Sequence, residues 1–481
     1  IDLGFTWFDL PSGDRAGIID VPGHEKFINN MVAGVVGMDL VMLVIAADEG
    51  VMPQTREHMD ILGLLGIQKS IIVLNKCDLV DEEWLELVEE EVREELEGTF
   101  LEHAPVMKVS AATGQGLDAL VQEIDHMMQD EVEEKDITTI PRLPVDRVFS
   151  LSGFGTIITG TLLSGTITKE DTLEIDPIGK TSKIRSIQVH GEDQECCYAG
   201  QRVAINLSNV KKRELSRGCV LAPPNSMKNT DLLDVKVNIL KSSMRVLTNH
   251  TRLHLFTGTS EILCRAVLLD KEEIGPGESG YVQLRLEEEI ALRRGDKFVI
   301  RFYSPMETIG GGVVLEPNPV IHRRFQEPVI EDLKRKESGS SIDVIELRVR
   351  EHGEDLLTQA EVARLTAMSP EEVAEDVQAL KDSGVILTFA TRKDLYLWHV
   401  GSEKLMRQKI LEALKQYEEK YPYRYGMKKA EVQVTYLKKM KPVVFDHYVE
   451  YLEQEGALKR MEEYLCTADY EVRKDTVYDR V

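Results

Sequence analysis

The sequence is poor in positive charge and has little that would support a disulfide framework. Its 58 Lys and Arg residues face 83 Asp and Glu residues, which gives a formal net charge of -25. A chain this acidic is not a general polyanion binder, so any contact with nucleic acid must come from local basic patches. The six cysteines form no CxxC pair, which predicts reduced thiols in a cytoplasmic protein rather than disulfide or metal sites.

Long apolar runs are also absent. No stretch approaches the roughly 20 apolar residues that a bilayer-spanning helix needs, so we expect no membrane partner. Hydrophobic residues make up 42% of the chain and charged residues 29%, which is ordinary for a globular protein and argues against gross disorder. A length of 481 residues predicts three or more domains.

The first residues predict a strand that is already under way. IDLGFTWFDL alternates in polarity, PSGD at 11–14 predicts a turn, and AGIID predicts a second strand. A domain rarely opens in the middle of a sheet, and the first residue is Ile1 rather than Met. We therefore expect an N-terminal part to be missing.

Residues 1–137 show the rhythm of an α/β domain with a doubly wound parallel sheet. Short apolar strands at 40–48, 70–78 and 105–111 alternate with amphipathic helices at 55–66, 81–98 and 116–129. In such sheets the ligand site lies at the carboxyl ends of the strands. Ligand-binding groups are therefore expected among the residues that follow each strand.

The rest of the chain predicts a multidomain protein with four further domains. Closely spaced turn residues and short strands predict two β-barrels, at 138–223 and 224–322, with a break near Pro223-Pro224. Helical periodicity then returns, and helix-turn-helix patterns followed by strand pairs predict two C-terminal α+β winged-helix units at 323–399 and 400–472.

A guanine-binding pattern follows two of the apolar strands. NKCD at 75–78 supplies Asn75, Lys76 and Asp78, and SAA at 110–112 supplies Ser110 and Ala111. The Asp78 carboxylate can accept two parallel N–H bonds from guanine, which adenine cannot offer. Asn75 can brace the loop, the Lys76 stem can lie over the base, and the backbone N–H near Ala111 can reach the guanine oxygen.

The segment DVPGH at 20–24 predicts contacts with the phosphate end of a nucleotide. Asp20 can hold Mg²⁺ through water, and Gly23 lets the backbone approach a terminal phosphate. His24 is then placed to orient an attacking water, because phosphoryl transfer depends on positioning and charge stabilisation. The phosphate-cradling loop GxxxxGK[ST] matches nowhere in the 481 residues, so the P-loop portion of the predicted domain is missing from them.

Together with ADEGVMPQTREH at 47–58, these motifs resemble those of the translational GTPases, in which a G domain precedes two β-barrels as in elongation factor Tu. The C-terminal extension and the segments at 145–165, 185–191 and 309–317 resemble the bacterial selenocysteine-specific elongation factor. This resemblance implies a GTPase that uses GTP and Mg²⁺ and delivers selenocysteinyl-tRNA to the ribosome. It also implies a monomer that acts at a UGA codon marked by an mRNA hairpin, which the winged helices grip.

The same resemblance implies an aminoacyl pocket in the first barrel, where Asp146, Arg147 and Arg202 occupy the family's Asp-Arg and Arg positions. A selenol is largely ionised at neutral pH, so a cationic pocket prefers it over a hydroxyl. The alternative for Asp146 and Arg147 is an ordinary salt bridge at a strand edge.

A lysine-rich segment at 428–441 is the candidate RNA contact of the second winged-helix unit. Phosphate contacts position an RNA on such a surface, and splayed bases supply specificity. The alternative is a solvated helix face. The lysines concerned are Lys428, Lys429, Lys438, Lys439 and Lys441.

Two alternatives to the leading function stay open at this point. One is a general elongation factor or an initiation-factor relative, against which the winged helices argue. The other is a winged-helix RNA-binding scaffold built on a GTPase-like domain that has lost nucleotide binding, which the missing GxxxxGK[ST] loop favours if the chain is complete.

Overall fold

The protein consists of two compact units, Ile1–Glu337 and Ser338–Val481, and each is described by itself. The computed structural model describes residues 3–24, 27–67, 69–130, 132, 135, 137, 139–151, 153–353, 355–366, 368 and 370–473. The predicted opening of a strand at Ile1 lies outside the described residues. Among these residues, no helix combines the length and the apolar character that crossing a bilayer requires.

The first unit begins with an antiparallel hairpin of β1 (Gly4–Asp9) and β2 (Arg15–Asp20). Its register runs from Gly4 opposite Asp20 to Asp9 opposite Arg15, as the alternating sequence and the PSGD turn predict. Side chains on one face of the hairpin join a core cluster with Ile71 and Val73 of the neighbouring parallel sheet. The hairpin therefore packs against the α/β domain. Asp20 lies at the end of the hairpin that is opposite the turn.

A three-stranded parallel sheet forms the centre of the α/β domain, in the order β3-β4-β5. All four residues from Ile71 to Leu74 in the middle strand are buried, as expected for a strand covered on both faces. Two helices pack on one face and the last helix packs on the other. The elements are α1 (Ile28–Val35), β3 (Val41–Ala46), α2 (Pro53–Leu64), β4 (Ser70–Asn75), α3 (Glu82–Leu96), β5 (Val106–Lys108) and α4 (Leu117–Asp130).

The first barrel is an antiparallel sheet whose two edge strands are joined by Val145 and Asp146 alone. Because these edge strands are neighbours in the chain, the sheet curls back around a buried aliphatic core. The strands of this region are β6 (Leu143–Pro144), β7 (Arg147–Leu151), β8 (Gly155–Thr161), β9 (Thr166–Thr168), β10 (Thr172–Asp176), β11 (Lys180–Val189), β12 (Glu192–Gln194), β13 (Cys196–Tyr198), β14 (Arg202–Leu207) and β15 (Val220–Ala222). Of these, β9 and β13 pair with each other as a separate two-stranded sheet.

The second barrel is closed, with the strand order β16-β21-β19-β18-β22-β23. Helix α5 (Glu327–Ser338) packs on the outside of this barrel through Ile330 and Leu333. The strands of this region are β16 (Asn229–Ile239), β17 (Leu247–Thr248), β18 (Arg252–Thr257), β19 (Ser260–Leu268), β20 (Glu273–Ile274), β21 (Ser279–Ala291), β22 (Lys297–Phe302) and β23 (Thr308–Glu316). Of these, β17 and β20 pair with each other outside the six-stranded barrel.

The second unit repeats one order of elements, helix-strand-helix-helix-strand-strand, which is that of a winged helix. The first copy contains α6 (Ser341–Glu351), β24 (Leu357–Thr358), α7 (Gln359–Thr366), α8 (Pro370–Asp382), β25 (Ile386–Ala390) and β26 (Leu395–His399). The second contains α9 (Val400–Lys420), β27 (Met427–Lys428), α10 (Lys429–Tyr436), α11 (Pro442–Gln454), β28 (Leu458–Met461) and β29 (Tyr464–Thr467). The strand pair predicted after the first helix-turn-helix pattern is confirmed by the pairing of β25 with β26.

Candidate functional site

The loops that follow β4 and β5 meet at the carboxyl edge of the parallel sheet. Asn75 is the last residue of β4, and its Oδ1 accepts hydrogen bonds from the backbone N–H of Lys76 at 2.8 Å and of Ala111 at 3.1 Å. The backbone N–H of Cys77 also donates to the carbonyl of Val109 at 3.1 Å. One amide side chain thus joins the two loops in which the sequence predicts guanine contacts.

The Asn75 loop presents a carboxylate to solvent beside a paired lysine. Asp78 lies exposed on a short 3-10 turn. Lys76 has a left-handed backbone with φ of 64°, and its Nζ lies 3.1 Å from Asp48 and 3.2 Å from Glu49. These hydrogen bonds raise the pKa of Lys76. The lysine stem predicted to lie over a base is therefore anchored by acidic residues from the end of β3.

The second loop is fixed from inside. Ser110 is fully buried, and its Oγ accepts from the backbone N–H of Thr113 at 3.2 Å. Gly116 has a φ of 75°, and a Cβ built there would lie 2.1 Å from the carbonyl oxygen of Lys108. Only glycine allows this close return of the chain, which holds the exposed Ala111 over Asn75.

An open cleft adjoins the Asn75 loop. It is lined by Asp48, Leu79, Val80, Asp81 and Trp84. The Trp84 indole is held there because its Nε1 donates to the carbonyl of Ala47 at 3.0 Å, and Asp81 caps helix α3 by accepting from the backbone N–H of Trp84 at 2.8 Å. The acidic helix α3, predicted from the sequence as an amphipathic helix at 81–98, therefore borders the cleft.

The DVPGH segment leaves the end of β2 and faces helix α2. Asp20 and His24 are exposed, and the His24 ring contacts Phe27 edge-on at 6.1 Å between centroids. A Cβ built on Gly23 would lie 3.8 Å from Cε1 of His58. Burial lowers the pKa of His58. Sequence reasoning missed this second histidine, although it ends the quoted segment at 47–58.

In the first barrel, two of the three predicted pocket residues form a bidentate ion pair. Arg202 at the start of β14 binds the buried Asp146 carboxylate through both Nη1 and Nη2. The Thr159 hydroxyl of β8 also donates to Asp146, at 2.7 Å. The salt bridge envisaged from sequence between Asp146 and Arg147 is therefore replaced by one between Asp146 and Arg202.

Arg147, the third residue predicted for the pocket, contacts Leu3 and Phe5 at the start of the chain. Arg147 Nη2 donates to the carbonyl of Leu3 at 2.6 Å, and its guanidinium carbon lies 4.9 Å from the Phe5 ring centroid. The guanidinium carbon of Arg202 lies 3.4 Å from the same centroid. The structure thus gathers Asp146, Arg147 and Arg202 around Phe5, which no local pattern in the sequence indicated.

The predicted lysine cluster of the second winged-helix unit is partly paired with carboxylates. Lys428 lies 3.6 Å from Glu463, Lys429 lies 2.5 Å from Asp446, and Lys439 lies 2.6 Å from Asp355.

The two remaining lysines of the cluster flank the turn between α10 and α11. Lys438 is exposed, and Lys441 is the N-cap residue of α11, where a hydrogen bond with Tyr396 raises its pKa. The five lysines therefore differ in whether a carboxylate must be displaced before a phosphate can bind.

Family models match successive parts of the chain. The model described as elongation factor Tu GTP binding domain matches residues 11–130, and elongation factor Tu domain 2 matches 155–222. The selenocysteine-specific elongation factor beta-barrel domain matches 234–320, and the elongation factor SelB winged helix matches 411–465. The chain therefore combines a parallel α/β GTPase domain, β-barrel domains and a C-terminal winged helix.

Similar proteins extend over most of the chain. A selenocysteine-specific elongation factor of Desulfomicrobium baculatum is 39% identical over 458 residues, which are 95% of this chain and 72% of that protein. The crystal structure of a bacterial selenocysteine-specific elongation factor aligns with a TM-score of 0.77 and 28% identity over 97% of this chain and 73% of that chain. Elongation factor SelB from Methanococcus maripaludis, solved in complex with the GTP analogue GPPNHP, aligns with a TM-score of 0.61 and 28% identity over 69% of this chain and 75% of that chain. The chain belongs to the selenocysteine-specific elongation factors.

Proposed function

We propose that this protein is a GTP-dependent carrier that delivers selenocysteinyl-tRNA to the ribosome in the cytoplasm, and that it hydrolyses GTP in doing so. Membership of the family supports the carrier role. The observation that carries the nucleotide part is the bridge that Asn75 makes between the Lys76 and Ala111 loops. The family membership disfavours a general elongation factor or an initiation-factor relative.

Guanine is the base that this edge of the sheet suits. The exposed Asp78 carboxylate accepts the two parallel N–H donors of guanine, and the Ala111 N–H lies on the adjoining loop near the guanine oxygen. Adenine would leave the carboxylate without donors, which costs several orders of magnitude in affinity. Ser110 supports this arrangement because its hydroxyl accepts a hydrogen bond from the Thr113 N–H and so orders the turn that contains Ala111.

The Asp78→Asn substitution tests this assignment. An amide in place of the carboxylate inverts part of the hydrogen-bond pattern, so we expect GTP affinity to fall at least about 100-fold and xanthosine triphosphate to be preferred. The measurement is a fluorescent-nucleotide titration of a polypeptide that joins these 481 residues to a GxxxxGK[ST] loop. Asp231→Asn, at an exposed position of β16 in the second barrel, is the matched control. Unchanged GTP affinity in Asp78→Asn would refute the guanine site.

The DVPGH segment supplies the phosphate-side chemistry. We propose that Gly23 lets the backbone approach the terminal phosphate and that the exposed His24 orients the attacking water. Asp20 fits Mg²⁺ because its carboxylate is exposed at the end of β2, and that ion is often bound in nucleotide sites by one or two carboxylates, its waters and the phosphates. Bound Mg²⁺ would neutralise phosphate charge at this point.

The residues gathered on Phe5 favour an anionic aminoacyl group. Two guanidinium groups and one carboxylate leave a net positive charge, and Asp146 is already satisfied by Arg202 and Thr159. This positive charge would attract a selenolate, whereas it would stabilise a bound serine hydroxyl less because the hydroxyl is neutral. We therefore propose Asp146, Arg147 and Arg202 as the aminoacyl pocket, with Asp146 as the residue that orients Arg202.

Discrimination between aminoacyl groups tests the carrier role. We expect selenocysteinyl-tRNA to bind more tightly, in the presence of GTP, than the same tRNA charged with serine and than bulk elongator tRNAs. Filter binding with the polypeptide that carries the GxxxxGK[ST] loop measures all three. Equal affinity for all of them would contradict the proposal, and binding without any dependence on GTP would favour the scaffold alternative.

For the winged-helix units we propose a grip on the mRNA hairpin that marks the UGA codon. The exposed Lys438 and the cationic Lys441 at the start of α11 are best placed to contact phosphates, whereas Lys428, Lys429 and Lys439 must exchange a carboxylate for one. We also propose that the factor acts as a monomer and that it consists of the five domains predicted from the sequence. Helix α5 packs on the second barrel.

A further inference from the structure

We propose that residues 420–429, the tyrosine loop, form a binding site for unpaired bases of single-stranded RNA. This ten-residue segment, KYPYRYGMKK, carries four cations, three tyrosines and no carboxylate in a chain whose net charge is -25. The proposal deepens the RNA contact of the second winged-helix unit and rests on that part of the proposed function. It adds a base-stacking surface at a place separate from the turn between α10 and α11.

Two tyrosine rings of the loop are exposed to an unusual degree. Tyr423 is 63% exposed and Tyr425 is 60% exposed. The Tyr425 ring lies 6.3 Å from that of Tyr464, at the start of β29, with an interplanar angle of 39°. Exposed aromatic faces beside a wing are surfaces on which nucleobases stack, because every base has a π-face of matching size.

The backbone of the loop is held in place before any ligand arrives. The Tyr470 hydroxyl lies 3.1 Å from the carbonyl oxygen of Pro422 and 2.8 Å from that of Arg424. Gly426 has a φ of 138°, and a Cβ there would lie 2.2 Å from the carbonyl oxygen of Leu465, so the chain packs directly on β29. A loop fixed in this way has little conformational entropy to lose when bases stack on its side chains.

Two cations of the loop, Arg424 and Lys428, are exposed and so accessible to the phosphates of a nucleic acid. The Arg424 guanidinium carbon lies 4.4 Å from the centroid of the Tyr421 ring, and its Nη1 donates to the Tyr417 hydroxyl at 3.0 Å. Lys428 pairs with Glu463 at 3.6 Å, but both side chains are largely exposed, so a phosphate can replace the carboxylate at little cost. Arg424 and Lys428 therefore flank the exposed tyrosines with positive charge.

These features favour unpaired RNA over a duplex. In a duplex the bases are stacked on one another and present only their edges, so tyrosine faces gain nothing from them. Loops, bulges and single-stranded ends expose whole base faces and bring phosphates close to the cations. The ligand chemistry is therefore an RNA strand with at least two unstacked bases.

The test compares variants of the full 481-residue chain in fluorescence anisotropy with a labelled 12-nucleotide single-stranded RNA and a 12-base-pair RNA duplex. We expect the unaltered chain to prefer the single strand. Tyr423→Ala/Tyr425→Ala should weaken single-strand binding about 25-fold or more, from roughly fivefold or more per stacked base. Tyr423→Phe/Tyr425→Phe should keep it within about threefold, because the ring faces remain. Tyr198→Ala, which removes an exposed tyrosine of the first barrel, is the matched control and should change nothing.

Three results would overturn the proposal: undiminished binding by the double alanine variant, an equal loss in the phenylalanine variant, or a preference of the unaltered chain for the duplex. Lys438→Ala/Lys441→Ala separates this site from the lysine contact. If only the lysine variant loses RNA affinity, the tyrosine site is refuted while the lysine contact stands. Circular dichroism, recorded for each variant during thermal unfolding, verifies that the variant is folded.

Discussion

Two histidines near Gly23 differ in the environment that the fold gives them. His24 is exposed on the segment after β2, whereas His58 is partly buried on α2, where burial lowers its pKa. The partly buried His58 imidazole therefore packs beside Gly23 of the DVPGH segment instead of facing solvent. The exposed His24 is therefore the residue of the two that we propose for orienting the attacking water.

Replacement of His24 by alanine should separate GTP binding from hydrolysis. We expect nucleotide affinity to stay within about twofold and ribosome-stimulated hydrolysis to fall about 10²–10⁴-fold, because the loss of a positioned side chain affects only the transition state. Single-turnover phosphate release with the polypeptide that carries a GxxxxGK[ST] loop measures this. His126→Ala, at an exposed histidine of α4, is the control. Normal stimulated turnover in His24→Ala would remove this residue from the mechanism.

Asp176 at the end of β10 is a buried carboxylate that weakens the fold at neutral pH. The residue is 3% exposed, and burial raises its pKa to about 6. Because the folded pKa lies above the ordinary value, the folded state favours the protonated acid. The resulting stabilisation is complete below pH about 4 and is lost as the pH rises through about 6.

Asp176→Asn should therefore stabilise the first unit at pH 8 by about 1–2 kcal/mol and have a smaller effect at pH 5. The amide is neutral at both pH values and keeps a similar shape. Thermal unfolding followed by circular dichroism at the two pH values measures the difference. Asp231→Asn, at an exposed position, should show no such pH dependence. A stabilisation of equal size at both pH values would argue against titration of Asp176.

Among the elements, β23 shows how glycine allows strands to approach. Its sequence TIGGGVVLE lies between β16 and β22 in the closed barrel. A Cβ built on Gly312 would lie 1.8 Å from the carbonyl oxygen of Lys236 on β16, and one on Gly311 would lie 2.3 Å from that of Phe298 on β22. The run of glycines is therefore a packing requirement of the barrel rather than a flexible segment.

Gly312→Ala should damage the second barrel. The methyl group would collide with backbone, which cannot move aside as a flexible side chain does, so we expect a loss of more than about 3 kcal/mol in the free energy of unfolding. Urea unfolding measures it. Gly17→Ala in β2 is the matched control, since the nearest atom to its Cβ is 3.7 Å away on the His190 ring. Equal stability of the two variants would show that β23 can shift without cost.

At the scale of the whole molecule, the second unit has a core of its own. Two clusters of buried residues fill the winged-helix pair, and Trp398 contacts Tyr448 at 4.9 Å between ring centroids. Trp398 is 1% exposed, and its Nε1 donates to the carbonyl of Gly353 at 2.9 Å. The aromatic contact links the wing of the first copy to α11 of the second, so the two copies form one folding unit.

A fragment of residues 339–481 should fold without the first unit. Its core residues all lie within the fragment, so we expect cooperative unfolding and a blue-shifted emission from Trp398, the only tryptophan it contains. Circular dichroism and fluorescence, recorded during thermal unfolding, measure both. Emission typical of a water-exposed indole, or a gradual transition, would show that the fragment depends on the rest of the chain.

The sequence by itself determined the elements and the ends of the strands. Continuous apolar runs predicted β3 and β4, alternation in polarity predicted the hairpin, and closely spaced turn residues predicted the barrel strands. These patterns are local, so they do not depend on how distant segments pack. The position of NKCD directly after a strand predicted that Asn75 would brace its loop, and its hydrogen bonds to Lys76 and Ala111 confirm this. Its part in guanine binding stays a prediction.

Only the tertiary structure decided which distant side chains meet. Phe5 covers Arg202 although almost 200 positions separate them, and Arg202, not Arg147, binds Asp146. Likewise, Lys429, which the sequence predicted as an RNA contact, forms an ion pair with Asp446. Local patterns report only on neighbours three or four residues away, whereas the curl of a barrel and the packing of a hairpin set the distances at which charges and rings interact.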